Sequence, residues 1–206
     1  MSIAYRGPKR QDMQMALPGA SKAVTDRPPF RDPCTGEHVL GLPLGTVRLR
    51  EYTPLWVELY RIEEAELRDA LGVLALDVQH VGSTAIPGLV AKPILDIAVA
   101  IPSGGLVPRC ATSLARLGYQ YAYWADLEND YTFEKGVDHT HHVHLVELHS
   151  RQWVEYLRFR DTLRTNLQLA REYERIKMAL GARYCSDRAA YTRAKADFIR
   201  HVLSLT

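Results

Sequence analysis

The chain has 206 residues, an apolar fraction of 47% and a formal net charge of +2. That length fits one domain with a short extension, and the composition excludes disorder over most of it. The charge is uneven, because Arg151 to Arg200 carries 12 Lys plus Arg against 6 Asp plus Glu; such a segment either faces an anionic substrate or is a solvated helical surface.

Residues 1–44 are rich in Pro and Gly and lack periodicity, with breaks at Pro18-Gly19, Pro28-Pro29 and Asp32-Pro33. They read as an extension outside the core, leaving residues 45–206 as the folded domain. Val47 to Leu49 is a short strand candidate. Thr53-Pro54 then opens a helix, with Thr53 as its cap. Leu55, Leu59 and Ile62 form its apolar face, Glu58, Glu63, Glu64 and Glu66 its solvated one, and Gly72 its end. Leu74 to Val81 is the first core strand. Ile94 to Ile101 is continuously apolar, hence a strand buried on both faces.

Leu106 to Leu117 reads as a helix closed by Gly118. Tyr119 to Trp124 and Tyr131 to Glu134 are the next strands, joined by the acidic loop Ala125 to Asp130. His141 to Leu148 alternates, with Val143, Leu145 and Glu147 on one face and His142, His144 and Val146 on the other. The last third is helical. Ser150 caps a helix from Arg151 to Asn166, and a second runs from Leu167 to Leu180 and stops at Gly181. Asp187 caps a third, in which Tyr191, Lys195, Phe198 and Val202 share a face. Helix, sheet and C-terminal helices in that order make an α+β protein.

The chemistry concentrates between His80 and Val99. Gly82-Ser83 is a tight turn whose backbone N–H groups and hydroxyl can hold a phosphate. Asp96 stands among Ile94, Leu95, Ile97 and Val99, where a charge needs a partner or a metal. Gly82-Ser83 followed by Asp96 on a strand resembles the signature of the nucleotidyltransferase superfamily. The longer string His80-Val81-Gly82-Ser83-Thr84-Ala85-Ile86-Pro87-Gly88-Leu89, then Lys92-Pro93-Ile94-Leu95-Asp96-Ile97, resembles the GrpB family (UPF0157), a branch of that superfamily. Four more blocks agree: Glu51 to Leu71, His141 to Glu147, Leu157 to Arg164, and Tyr191 to Lys195 with Phe198-Ile199. The resemblance covers roughly residues 46 to 204. It implies a small nucleotidyltransferase-like mixed β-sheet core with flanking helices and a C-terminal helical segment.

It also implies a nucleoside triphosphate at Gly82, Ser83 and Thr84, a divalent metal (Mg²⁺ or Mn²⁺) at Asp96, and a nucleotidyl group passed to a small acceptor. Metal sites of this kind take oxygen ligands, and residues two apart on a strand face the same way. The chain departs from the superfamily pattern there, since the residue two after Asp96 is Ala98. The missing ligand could be Glu147, His142 or His144, with Glu134 a further carboxylate. Glu147 and His144 fall on opposite faces of a regular strand, so both cannot face Asp96.

Five of the eight histidines lie within His139 to His149, and His142 and His144 point the same way, as transition-metal ligands or as acid and base. Lys92, Asp96 and His144 are the candidate catalytic residues. Arg160, Lys177, Tyr191 and Lys195 are candidates for phosphate, against the alternative of surface ion pairs for the charged ones. Adjacent Arg160 and Asp161 are not themselves expected to pair. Two other readings stay open: a degenerate module that binds a nucleotide or anion without turnover, and a metal-dependent hydrolase or ligase using the His139–His149 strand.

Cys34, Cys110 and Cys185 stand in no paired motif, which predicts a reducing, cytoplasmic setting. No run approaches the roughly 18 apolar residues of a membrane span, and Met1 to Arg10 has no signal-peptide core. No aromatic-interleaved basic platform for nucleic acid is present.

Overall fold

A computed structural model of the chain describes residues 31, 36, 38–122 and 130–205. Its elements in order are α1 (Leu55–Leu71), β1 (Asp77–Val81), β2 (Leu95–Ile101), α2 (Val107–Arg116), β3 (Tyr119–Tyr121), β4 (Tyr131–Lys135), β5 (His141–Glu147), α3 (Arg151–Thr165), α4 (Leu167–Arg183), α5 (Arg188–Ala194) and α6 (Ala196–Ser204). The strands form one mixed sheet in the order β1-β2-β5-β4-β3. Only β2 and β5 run parallel, with Asp96 beside His142 and Ala98 beside His144.

The central strands separate two cores by strict alternation. Leu95, Ile97, Val99, Ile101, Val143 and Leu145 face α1 and α2 in the larger cluster. Ala98, Ala100, Val81 and Val146 face Trp153 of α3. A third cluster ties α3, α4 and α6 to the loop after β1 through Ile86, Leu89, Leu163, Tyr173, Phe198 and Val202.

Several elements differ from expectation. Val47 to Leu49 forms no strand; Val47 N donates instead to Cys185 O at 2.8 Å. Leu74 closes a 3₁₀ turn and β1 starts at Asp77. The buried stripe of α1 is Trp56, Leu59, Glu63, Leu67 and Leu71, so Ile62 is exposed. Glu63 is not solvated: it accepts from Lys135 Nζ at 2.7 Å and from Tyr119 OH at 2.9 Å. Gly181 does not stop α4 but lies inside it, where a Cβ would meet Leu49 Cδ1 at 3.2 Å. Its small size serves packing against the segment before α1. The third C-terminal helix breaks into α5 and α6 at Lys195. Strand β3 covers Tyr119–Tyr121, and residues 123–124 of the expected strand lie outside the described residues.

Part of the stretch before residue 45 packs against the domain. Val39, Leu40 and Leu42 are buried, and Gly41 N donates to Pro93 O at 2.8 Å. Val39, Leu40 and Leu42 therefore belong to the core, while His38, Pro43 and Leu44 are exposed. Of the extension expected over residues 1–44, residues 1–30, 32–35 and 37 lie outside the described residues, as do residues 125–129 of the acidic loop.

Candidate functional site

The site lies on the α3 side of the sheet, where β1 hands over to β2. Gly82 follows β1 with φ +68° and opens a 3₁₀ turn over Ser83–Ala85. The turn passes so close to β2 that a Cβ on Gly82 would lie 2.4 Å from Asp96 Oδ2. The carboxylate is thus held beneath the Gly-Ser turn, with its side chain about 32% exposed.

Asp96 faces the same side as His142 and His144, as the register requires. His142 Nδ1 lies 3.1 Å from Asp96 Oδ1, and His144 Nε2 3.8 Å from the same oxygen. Burial works to raise the Asp96 pKa, but the hydrogen bonds and charges of His142 and His144 outweigh it and hold it well below the usual carboxylate range. Burial also opposes the charge on His144. Asp130 and then Asp96 overcome that and push its pKa up to about 10. His144 is therefore an imidazolium at neutral pH.

Asp130, a loop residue by its sequence context, belongs to the site. It is buried, and its Oδ1 lies 3.3 Å from His144 Nδ1. Tyr156 OH from α3 donates to Asp130 Oδ2, and Thr132 Oγ1 lies 3.2 Å from His144 Nδ1. The faint signal was period two, since Asp130, Thr132 and Glu134 share one strand face.

Cations gather at the start of β2. Lys92 Nζ lies 5.6 Å and Lys195 Nζ 4.7 Å from the centroid of the buried Tyr191 ring. Burial first, then Lys195, pushes the Lys92 pKa down to about 7, with Asp96 opposing.

The remaining candidates are engaged elsewhere. Thr84 is buried, with its Oγ1 3.0 Å from His80 Nε2 and donating to Ile94 O. Lys177 donates to Val90 O and lies over Tyr173, so it pins the loop after the Gly-Ser turn. Arg160 donates to Gln79 Oε1 at 2.8 Å and His80 O at 3.1 Å. It does pair with Asp161, Nε to Oδ1 at 2.7 Å and Nη2 to Oδ2 at 3.0 Å. His141 faces the other side of the sheet, 3.6 Å from Glu63, and His139 binds Glu134 at 2.8 Å. His149 is exposed in the turn after β5.

The donor set does not form the carboxylate pair that the resemblance implies. Ala98 is fully buried in the cluster under Trp153. Glu147 pairs with Ile101 at the far end of β2, on the opposite face, and accepts from Gly104 N at 2.7 Å. Among the described residues, no group of three or more His, Cys, Asp or Glu is arranged to hold a metal ion. Nor, among them, is any helix long and apolar enough to cross a membrane.

A mixed five-strand sheet flanked by helices, with the Gly-Ser turn over a strand carboxylate, defines an α+β chain with a cluster of polar and charged groups on the α3 side of its sheet. The family model described as "GrpB protein" matches residues 46–205, and the chain belongs to the GrpB family, UPF0157. A UPF0157 protein of Pseudomonas aeruginosa is 41% identical over 157 residues, which span 73% of this chain and 63% of that relative. The glutamate-rich protein GrpB of Alkalihalophilus pseudofirmus is 33% identical, over 81% of this chain and 99% of its own. The crystal structure of the conserved protein GrpB from Enterococcus faecalis superposes with a TM-score of 0.71 at 32% identity, covering 77% of this chain and 96% of that one.

Proposed function

We propose that the cleft binds a nucleoside triphosphate through its phosphates and that the chain passes a nucleotidyl group to a small acceptor. The observation that carries the reading is the pairing of Lys92 and Lys195 on Tyr191, at the end of β2 that bears Asp96 and the Gly82-Ser83 turn. Phosphoryl chemistry asks a protein mainly for position and charge. Two ammonium groups supply the charge, and a bare Gly-Ser turn allows close approach of phosphate oxygens. Lys92 is poised near neutral pH, where an incoming phosphate would fix it as the ammonium form. Asp96, held ionised by His142 and His144, is suited to accept a hydrogen bond from a hydroxyl of the ligand or acceptor.

A second reading, binding without turnover, is favoured by Ala98 in place of a second carboxylate. Calorimetric titration of ATP, GTP, CTP and UTP, each with Mg²⁺ and with EDTA, tests the binding. One nucleotide should bind, should still bind in EDTA, and should bind about tenfold more weakly to Lys195→Ala, the effect of one lost charge-assisted contact. Failure of all four to bind would contradict the reading. With a binding nucleotide in hand, pyrophosphate release in the presence of candidate acceptors separates transfer from a silent module.

A further inference from the structure

Arg188 opens α5 and is only 7% exposed. Its guanidinium is gripped from one side by the segment that precedes α1. Nη2 donates to Leu42 O at 3.2 Å and Pro43 O at 3.3 Å, and Nε donates to Thr46 O at 3.4 Å. Nη1 is buried and makes no hydrogen bond with the described residues. A buried charged donor left without an acceptor is costly, and such groups are kept where something else satisfies them. Burial acts against the Arg188 charge while Glu134 and Asp96 favour it, and Arg188 in turn disfavours the charge on Lys92. Geometry places the guanidinium beside the same groups: Arg188 lies three residues before Tyr191 on α5, whose ring carries Lys92 and Lys195, and Gly41, next to the Leu42 carbonyl that Arg188 grips, donates to Pro93 O at 2.8 Å. The carboxylates there are already engaged, Asp96 by His142 and Glu134 by His139.

We propose that Arg188 Nη1, with Lys92 and Lys195, forms the subsite for a phosphate dianion, backed by the carbonyls of Leu42, Pro43 and Thr46. The inference rests on the phosphate reading of the cleft and names the group that completes it. The carbonyl grip fixes the guanidinium plane and leaves one edge for the ligand, an arrangement that a lysine cannot copy.

Inorganic tripolyphosphate, titrated calorimetrically into wild type, Arg188→Lys and Arg188→Gln, is the test. Wild type should bind, and both variants, folded by circular dichroism, should bind at least about tenfold more weakly. Wild-type binding that Arg188→Lys keeps within about twofold would overturn the subsite and leave the cleft reading standing. No binding to wild type would remove both. Independently of any substitution, wild type labelled with ¹⁵N-arginine should show a side-chain resonance that moves on saturation with tripolyphosphate, and saturation without such a shift would overturn the subsite.

Discussion

A methyl group on Gly82 would come within 2.4 Å of Asp96 Oδ2 and 2.9 Å of its Cβ. The carboxylate oxygen can swing away, but Cβ is fixed to the strand. The backbone there also has φ +68°, which L side chains rarely adopt. Gly82→Ala should therefore cost about 1–3 kcal/mol, read as a lower melting temperature, and should weaken nucleotide binding because Asp96 is displaced. His144 gives the complementary prediction. Its folded-state pKa of about 10 lies above the ordinary value, so its charge stabilises the fold. That contribution is complete below about pH 6.5 and is lost as pH rises through about 10. In urea melts, the gap between wild type and His144→Gln should be widest near about pH 6 and should narrow steadily toward about pH 10. A gap that does not change with pH would rule out the imidazolium.

Helix α1 shows how one buried charge alters an element. Its stripe reads naturally as Leu55, Leu59 and Ile62 when every glutamate is assigned to water. The true stripe includes Glu63, whose partners Lys135 and Tyr119 come 72 and 56 residues later. No local pattern could reveal them. Lys135→Met should leave Glu63 buried without its cation and cost about 3 kcal/mol, whereas Ile62→Ala one position away should stay within about 0.5 kcal/mol. Denaturant melts of the two variants check the contrast. Strand β2 was legible for the opposite reason, because helices cover both of its faces and the run is apolar throughout. Gly181 misled because a glycine in a helix usually marks its end, and the Leu49 contact that explains it is remote in sequence.

Across the whole molecule, the parts of the cleft that are close in sequence could be read in advance. The Gly82-Ser83 turn, Lys92 and Asp96 fall within fifteen residues of one another. His142 and His144 followed from strand alternation. Asp130, Tyr156 and Arg188 were missed because the fold brings them in from a loop, from α3 and from the start of α5. Lys177 and Arg160 look like phosphate ligands in the sequence, yet the fold employs them on Val90, Gln79 and Asp161. Charge alone therefore overstates the basic face of the last third. Lys92 and Lys195 meet on the Tyr191 ring, and Arg188 stands three residues before that ring on α5. A phosphate bound there must raise the Lys92 pKa from about 7, so binding above that pH must take up a proton. The direct measurement is a nucleotide titration at about pH 8, where the nucleotide phosphates are already ionised, in buffers of different ionisation enthalpy. Binding with uptake of close to one proton by wild type, and with none by Lys92→Met, is the predicted result. No binding, or binding with the same proton count in both proteins, would contradict it.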